Sequence, residues 1–192
     1  MGNPETPKIP DGIELLVLDV DGVLTDGGII LDADGRDAKR FDVHDGAGIK
    51  YFQRAGHQVA ILSGRRSAAV VHRAGELGVT VLRQNAKDKR PAYEAILAEL
   101  DLTDAQTAVM GDDLPDLPLM RRCALPIAPA NAVEEVRAAA ALVTRRAGGH
   151  GAVREAVEAI LKGTGQWDGV MARYRRPHPP AGGREPRAKR TP

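Results

Sequence analysis

The sequence predicts an α/β fold, a Rossmann-like three-layer α/β/α arrangement around a mostly parallel sheet, and three observations predict it. Short apolar runs recur along the chain, stretches of helical spacing separate them, and one Asp-Gly turn marks an antiparallel hairpin between the first strand and the first helix. The runs are Leu15–Leu18, Val59–Leu62, Val79–Leu82, Thr107–Met110 and Leu125–Ala128. They are mostly apolar throughout rather than alternating, the composition of strands covered on both faces. Helices are expected over residues 48–55, 67–77, 90–100, 114–121, 133–140 and 151–162, with the alanines Ala138 to Ala141 facing the core. Residues 28–43 break the alternation. They read as two strands around Ala33-Asp34-Gly35, a small β-hairpin insertion that would form a minimal cap above the sheet edge where open α/β sheets take their ligands.

A chain of 192 residues with 43% hydrophobic and 28% charged residues suits one soluble domain and excludes a wholly disordered or membrane-embedded chain. We expect an N-terminal extension over residues 1–12, a catalytic domain over 13–172 carrying the hairpin at 28–43, and a tail over 173–192. The formal net charge of +1 conceals an asymmetry. The tail holds seven Lys and Arg against Glu185 alone, so the rest of the chain is net negative. Residues 175–192 also contain five of the thirteen prolines and almost no aliphatics, a composition that cannot build a core and predicts a disordered, basic, Pro-rich segment.

The single cysteine, Cys123, excludes an intramolecular disulfide and a Cys-based zinc site, and reads as a buried thiol. No run of about 18 apolar residues and no apolar leader is present, so no membrane contact and a cytoplasmic location are expected. Six aromatic residues are too few for a single-stranded nucleic-acid platform.

The chemistry lies in acidic residues at strand ends. Asp19-Val20-Asp21-Gly22 follows the first apolar run, and two carboxylates so spaced repel one another unless a cation or a proton intervenes. A hard dication such as Mg²⁺ with oxygen ligands resolves that repulsion. A second cluster, Gly111-Asp112-Asp113-Leu114-Pro115-Asp116, follows the strand at 107–110. In a parallel sheet both clusters reach the same edge. Between them, Ser63-Gly64-Arg65 and Lys87-Asp88-Lys89 also lie just past apolar runs, and a hydroxyl, a backbone N–H and a lysine make a cradle for a phosphoryl group.

Four such signals in this order resemble the haloacid dehalogenase superfamily of aspartate-nucleophile phosphatases over about residues 14–162. Asp19–Gly27, the hairpin, Phe41–Ile49, Ser63–Arg65 and Gly148–Glu155 together are similar to its 3-deoxy-D-manno-octulosonate 8-phosphate (KDO 8-phosphate) phosphatase family, whose members are Mg²⁺-dependent, usually tetrameric, and supply a lipopolysaccharide precursor. The resemblance implies Asp19 as the nucleophile and Asp21 as the acid and base. It implies a Mg²⁺ held by Asp19, Asp112 and the main-chain carbonyl of Asp21. Ser63 and Lys89 would hold phosphoryl oxygens, with Lys87 the competitor to Lys89, while Asp113 and Asp116 would orient their neighbours. For the sugar acid it implies Asp42, Val43, His44, Asp45, Gly46, Lys50, Gly64, Arg65 and Arg73, beside Asp21, Ser63 and Lys89. An arginine fork at position 65 suits a carboxylate. His44, Lys50 and His150 depart from the pattern, standing where that family often has arginine.

Other readings fit less well. A phospho-accepting receiver domain would place its acidic pair before the phosphorylated aspartate, and a nucleotide-binding protein would show a Walker loop, which is absent. A nine-carbon sugar-acid phosphate is the alternative substrate, and a non-catalytic oligomerisation domain the alternative class. His57 and His72 read as surface residues, and His150 as substrate-facing or at an interface. A sixteen-residue hairpin is too small to enclose a substrate, so neighbouring subunits of a homotetramer are expected to complete the wall.

Overall fold

A computed structural model describes residues 8–175. In chain order the strands and α-helices are β1 (Leu15–Leu18), the hairpin strands β2 (Ile30–Leu31) and β3 (Asp37–Ala38), then α1 (Val43–Arg54), β4 (Gln58–Leu62), α2 (Ala68–Leu77), β5 (Val81–Arg83), α3 (Lys89–Leu100), β6 (Thr107–Met110), α4 (Leu117–Met120), β7 (Leu125–Ala128), α5 (Glu134–Ala139), β8 (Leu142–Val143), α6 (Ala152–Gly163) and α7 (Trp167–Arg175). Six strands pair in parallel in the order β5-β4-β1-β6-β7-β8, and β2 pairs with β3 antiparallel as a separate ribbon. Placing β1 centrally, with Leu18 opposite Ile61 on one side and Met110 on the other, sets residues 19, 63 and 111 side by side at one edge.

Strand alternation splits the core into two layers. Leu16 and Leu18 pack with Ile49, Phe52, Val70, Val153, Val157 and Ile160, from α1, α2 and α6. Leu15 and Val17 turn the other way, onto Tyr93, Ile96, Leu119, Met120 and Val136, from α3, α4 and α5. Both faces of β1 are therefore dry, which is why its sequence is apolar without interruption. Removing one such leucine side chain costs about 3 kcal/mol.

The elements differ from the sequence expectation in places that have local causes. Helix α1 starts at Val43 rather than Gly48, because Asp42 caps it by accepting the N–H groups of His44 and Asp45. Its glycines, poor helix formers, are retained for packing: a Cβ on Gly48 would press into the Arg154 backbone of α6. Strand β5 starts at Val81 rather than Val79, since Gly78 ends α2 in the left-handed region with φ 66° and the chain needs two residues to turn into the sheet. The segment 114–121 is a 3₁₀ turn followed by the single turn α4, each with a proline in its first positions. Of Ala138 to Ala141 only Ala140 packs against the core: α5 stops at Ala139, Ala138 and Ala141 are exposed, and Leu142 opens β8. An alanine buries too little surface to demand an interior position. Strand β8 and helix α7 are additions, the latter carrying Trp167 onto Tyr51 edge-to-face at 6.0 Å. Ile9, in the stretch read as an extension, is buried beneath α6. The basic tail expected over 173–192 lies outside the described residues beyond Arg175.

Candidate active site

The floor of the site is a chain of charges across the sheet edge. Lys89, the first residue of α3, inserts between the loops after β1 and β6, with its Nζ 2.7 Å from Asp19 Oδ1 and 2.6 Å from Asp116 Oδ1. All three residues are buried. Asp88 caps α3 by accepting the N–H of Arg90, which fixes the first turn that carries Lys89, whereas Lys87, one residue before the cap, is exposed. The other oxygen of Asp116 accepts the N–H groups of Asp112 and Asp113 at 3.2 and 3.4 Å, so Asp116 braces the loop on which Asp112 sits.

Asp112 is left short of partners. Its Oδ1 is buried and has no hydrogen-bond donor among the described residues. A Cβ on Gly22 would collide with this carboxylate, and one on Gly111 with that of Asp116, so both glycines are required by close approach. Burial, with the charges of Asp19, Asp116 and Asp113 around it, pushes the Asp112 carboxyl up to about 8. Burial also raises Asp19 to about 6 against the opposing pull of Lys89. Lys89 itself stays above the usual lysine value: burial works to lower it, but the two carboxylates outweigh that. One oxygen each from Asp19, Asp112 and Asp116 lie within 4.8 Å of one another. Three hard oxygen donors short of positive charge, one of them an orphaned buried atom, fit a small dication.

Asp21 lies apart from this floor. It is half-buried and forms an ion pair with Lys39 at the end of the hairpin, while Arg65 Nε stands 3.8 Å from its second oxygen. Ser63 is buried after β4 and its hydroxyl accepts the N–H of Arg65, so Ser63, Gly64 and Arg65 form one tight turn beside Asp19. Arg65 itself is exposed.

The residues expected to bind the sugar acid are only partly brought together. Asp42, Val43 and His44 form the first turn of α1, with Val43 and His44 exposed and His44 Nδ1 3.3 Å from Asp42. Arg73 crosses from α2 over the Phe41 ring and reaches the Asp42 carbonyl at 3.5 Å, a path that Gly46 leaves open. Two others lie elsewhere. Asp45 is fully buried, its oxygens accepting the N–H groups of Gly151 and Arg154 at 3.1 and 2.9 Å, so it caps α6 from across the fold. Lys50 lies two turns down α1, its Nζ beside Gly78 at the far end of α2. Gly148 and Gly149 pack directly against the backbone of residues 22–26, and His150, exposed, stands 3.5 Å from Arg40, which pairs with Asp26 at 2.7 Å. His57 is not a plain surface residue: it stacks on Phe52 at 4.6 Å.

Lys39 had no signal in the sequence, where it is one of several basic residues on a polar hairpin. A concavity of about 540 Å³ lies elsewhere, between the end of α1 and α7, lined by Arg54, Gln166, Arg173 and Tyr174. The carboxylates lie outside this concavity, at the sheet edge.

Residues 81–156 match the haloacid dehalogenase-like hydrolase family. The chain is 42% identical to the 3-deoxy-D-manno-octulosonate 8-phosphate phosphatase of Yersinia pestis, over 82% of this chain and 84% of that one. Among solved structures, a probable YrbI family phosphatase from Pseudomonas syringae superposes with a TM-score of 0.85 at 46% identity, covering 87% of this chain and 95% of that one. The Moraxella catarrhalis 3-deoxy-D-manno-octulosonate 8-phosphate phosphatase, solved with magnesium, phosphate and KDO, superposes with a TM-score of 0.82 at 39% identity over 85% and 94% of the two chains.

Proposed function

The chain belongs to the 3-deoxy-D-manno-octulosonate 8-phosphate phosphatases, within the haloacid dehalogenase-like hydrolases, and we propose that it hydrolyses KDO 8-phosphate to KDO and phosphate in lipopolysaccharide precursor synthesis. The observation that carries this reading is the buried Asp19–Lys89–Asp116 bridge beside the unpartnered oxygen of Asp112. Asp19 attacks the phosphorus, the bond to the sugar oxygen breaks, and an aspartyl-phosphate forms. Asp21 gives its proton to the departing oxygen. It then takes one from the water that attacks the aspartyl-phosphate, which releases phosphate and frees Asp19. Lys89 and Ser63 face the transferred group, and Lys89 offsets charge on its oxygens. Asp19 and Asp112 would hold Mg²⁺ together with the Asp21 carbonyl, Asp116 bracing the loop of Asp112, and the metal would draw charge off a phosphoryl oxygen.

The sugar acid lies above this floor, against Arg65, Gly64, the Asp42–His44 turn and Arg73. Asp45 serves indirectly by seating the Gly148–Gly151 loop, which in turn supports residues 22–26. We infer a homotetramer. The support is three consecutive exposed apolar residues, Ile29, Ile30 and Leu31, on a hairpin too small to enclose a substrate. A single buried cysteine, and no membrane-length apolar helix among the described residues, support a cytoplasmic site of action.

Phosphate release from KDO 8-phosphate, measured beside a nine-carbon sugar-acid 9-phosphate with Mg²⁺ and with EDTA, tests the assignment. KDO 8-phosphate is expected to have the higher kcat/KM and to need the metal. A preference above about tenfold for the nine-carbon substrate, equivalent to about 1.4 kcal/mol, overturns the substrate.

A further inference from the structure

We propose that Lys39 is a positioning residue that holds the Asp21 carboxylate in the orientation its proton transfers require, so that seating the hairpin and aiming the acid and base are one event. The inference rests on the role given to Asp21 above.

Burial is the first argument. Every residue from 26 to 36 is exposed, as are Ala38 and Arg40, yet the Lys39 side chain is only 4% exposed. An ammonium taken out of water is costly without a counter-charge, and Lys39 faces two. It pairs with Asp21 Oδ1 and stands 3.9 Å from Asp37 Oδ2. The hairpin thus turns one cation inward while its apolar residues face out.

The second argument is what else holds Asp21. Lys39 is its one side-chain hydrogen-bond partner among the described residues, and Arg65 Nε at 3.8 Å is beyond hydrogen-bond reach. The next residue is Gly22 with φ 96°, which has no side chain to brace Asp21. Asp19, two residues earlier, is tied instead to Lys89 from the body of the domain. Each carboxylate of the Asp-x-Asp pair has its own lysine. Without Lys39 the Asp21 side chain is free to turn about two torsions, and a displacement of about 1 Å at a reacting group costs on the order of 10² in rate.

The experiment is a double-mutant cycle on the full chain with Mg²⁺, on KDO 8-phosphate and on p-nitrophenyl phosphate. Lys39→Met and Lys39→Gln are each made alone and with Asp21→Asn, and Lys39→Arg alone, with folding checked by circular dichroism. The expected result is a kcat lowered about 10- to 100-fold, a KM within about threefold of wild type, and recovery of most of the rate by Lys39→Arg. On the Asp21→Asn background the same changes are expected to lower kcat by less than about threefold, because the group they act through is already lost. A KM that rises more than kcat falls makes Lys39 a substrate ligand and overturns the proposal. Losses that multiply on the Asp21→Asn background also overturn it, since Lys39 would then act through the hairpin alone. If Asp21→Asn leaves kcat unchanged, the role of Asp21 fails and this proposal with it. If only p-nitrophenyl phosphate is turned over, the substrate assignment fails while the cycle on that compound still decides Lys39.

Discussion

The floor of the site, where Asp19, Lys89 and Asp116 lie buried at the ends of β1 and β6 and the start of α3, and the hairpin above it, exposed from residue 26 to residue 36, are built on opposite terms. The floor places charges in a dry setting and fixes them by hydrogen bonds to one another and to the loop that follows β6. The hairpin has two strands of two residues each, closed by Asp32 accepting the N–H groups of Asp34 and Arg36, and it shows its apolar residues to solvent. Phosphoryl transfer needs preorganised charge, which the sheet supplies. Selecting one substrate and excluding water needs a wall, which an isolated ribbon of this size cannot supply.

This contrast breaks first at Asp19. Asp19→Asn is expected to lower kcat by on the order of 10³ or more, because no other carboxylate stands where it does. The metal-free protein should nonetheless keep or gain stability, since one of three crowded carboxylates is removed. Turnover close to wild type would reject the nucleophile, and a large fall in Tm would reject the picture of a floor strained by its own charge.

Lys89→Met is next in size. Leaving Asp19 and Asp116 buried without their cation is expected to cost about 3–5 kcal/mol in EDTA. Chemical denaturation with and without Mg²⁺ should show the metal recovering part of that loss, and a loss below about 1 kcal/mol would place Lys89 outside the electrostatic balance of the floor.

The floor also sets a pH dependence. Asp19 and Asp112 have folded values raised from 3.8 to about 6 and about 8, so the folded state holds protons that the unfolded chain has released. In EDTA, stability should therefore fall as pH rises from about 4 through about 8. Mg²⁺ favours the ionised carboxylates, so it should raise Tm more at pH 8, by about 5 °C, than at pH 5. Equal increments at both pH values would contradict this.

The smallest effect on the chain itself is expected at the hairpin. Ile30→Ser with Leu31→Ser should change the stability of the isolated chain by no more than about 0.5 kcal/mol per site, since both are already exposed. Light scattering should show a smaller assembly. A tetramer that survives the pair, or a wild type that is a fully active monomer, would leave the hairpin without its assembly role.

Legibility in the sequence follows the same division. Asp19, Ser63 and Asp112 could be read because each follows an apolar run, and a parallel sheet delivers all such positions to one edge. Lys89 could be preferred to Lys87 only through the helix that follows. Lys39 could not be read, because its neighbours in the chain do not say which side chain of a polar ribbon turns inward. Asp45 looks in sequence like part of the ligand-facing Asp42–Gly46 segment, yet the crossing of α1 and α6 spends it on the N–H groups of Gly151 and Arg154. Lys50 shares the helix of that segment and is carried two turns away from it.

By itself, the sequence determined the α/β class, the acidic edge and, through the family resemblance that edge carries, its phosphatase chemistry. These depend on local composition and on a sheet rule that holds wherever strands run parallel. The tertiary structure decided which charge meets which: Lys89 between Asp19 and Asp116, Asp112 Oδ1 without a donor among the described residues, Lys39 on Asp21. Those pairings join residues 18 to 70 positions apart along the chain, and only the packing of helices and hairpin against the sheet brings them within hydrogen-bond reach.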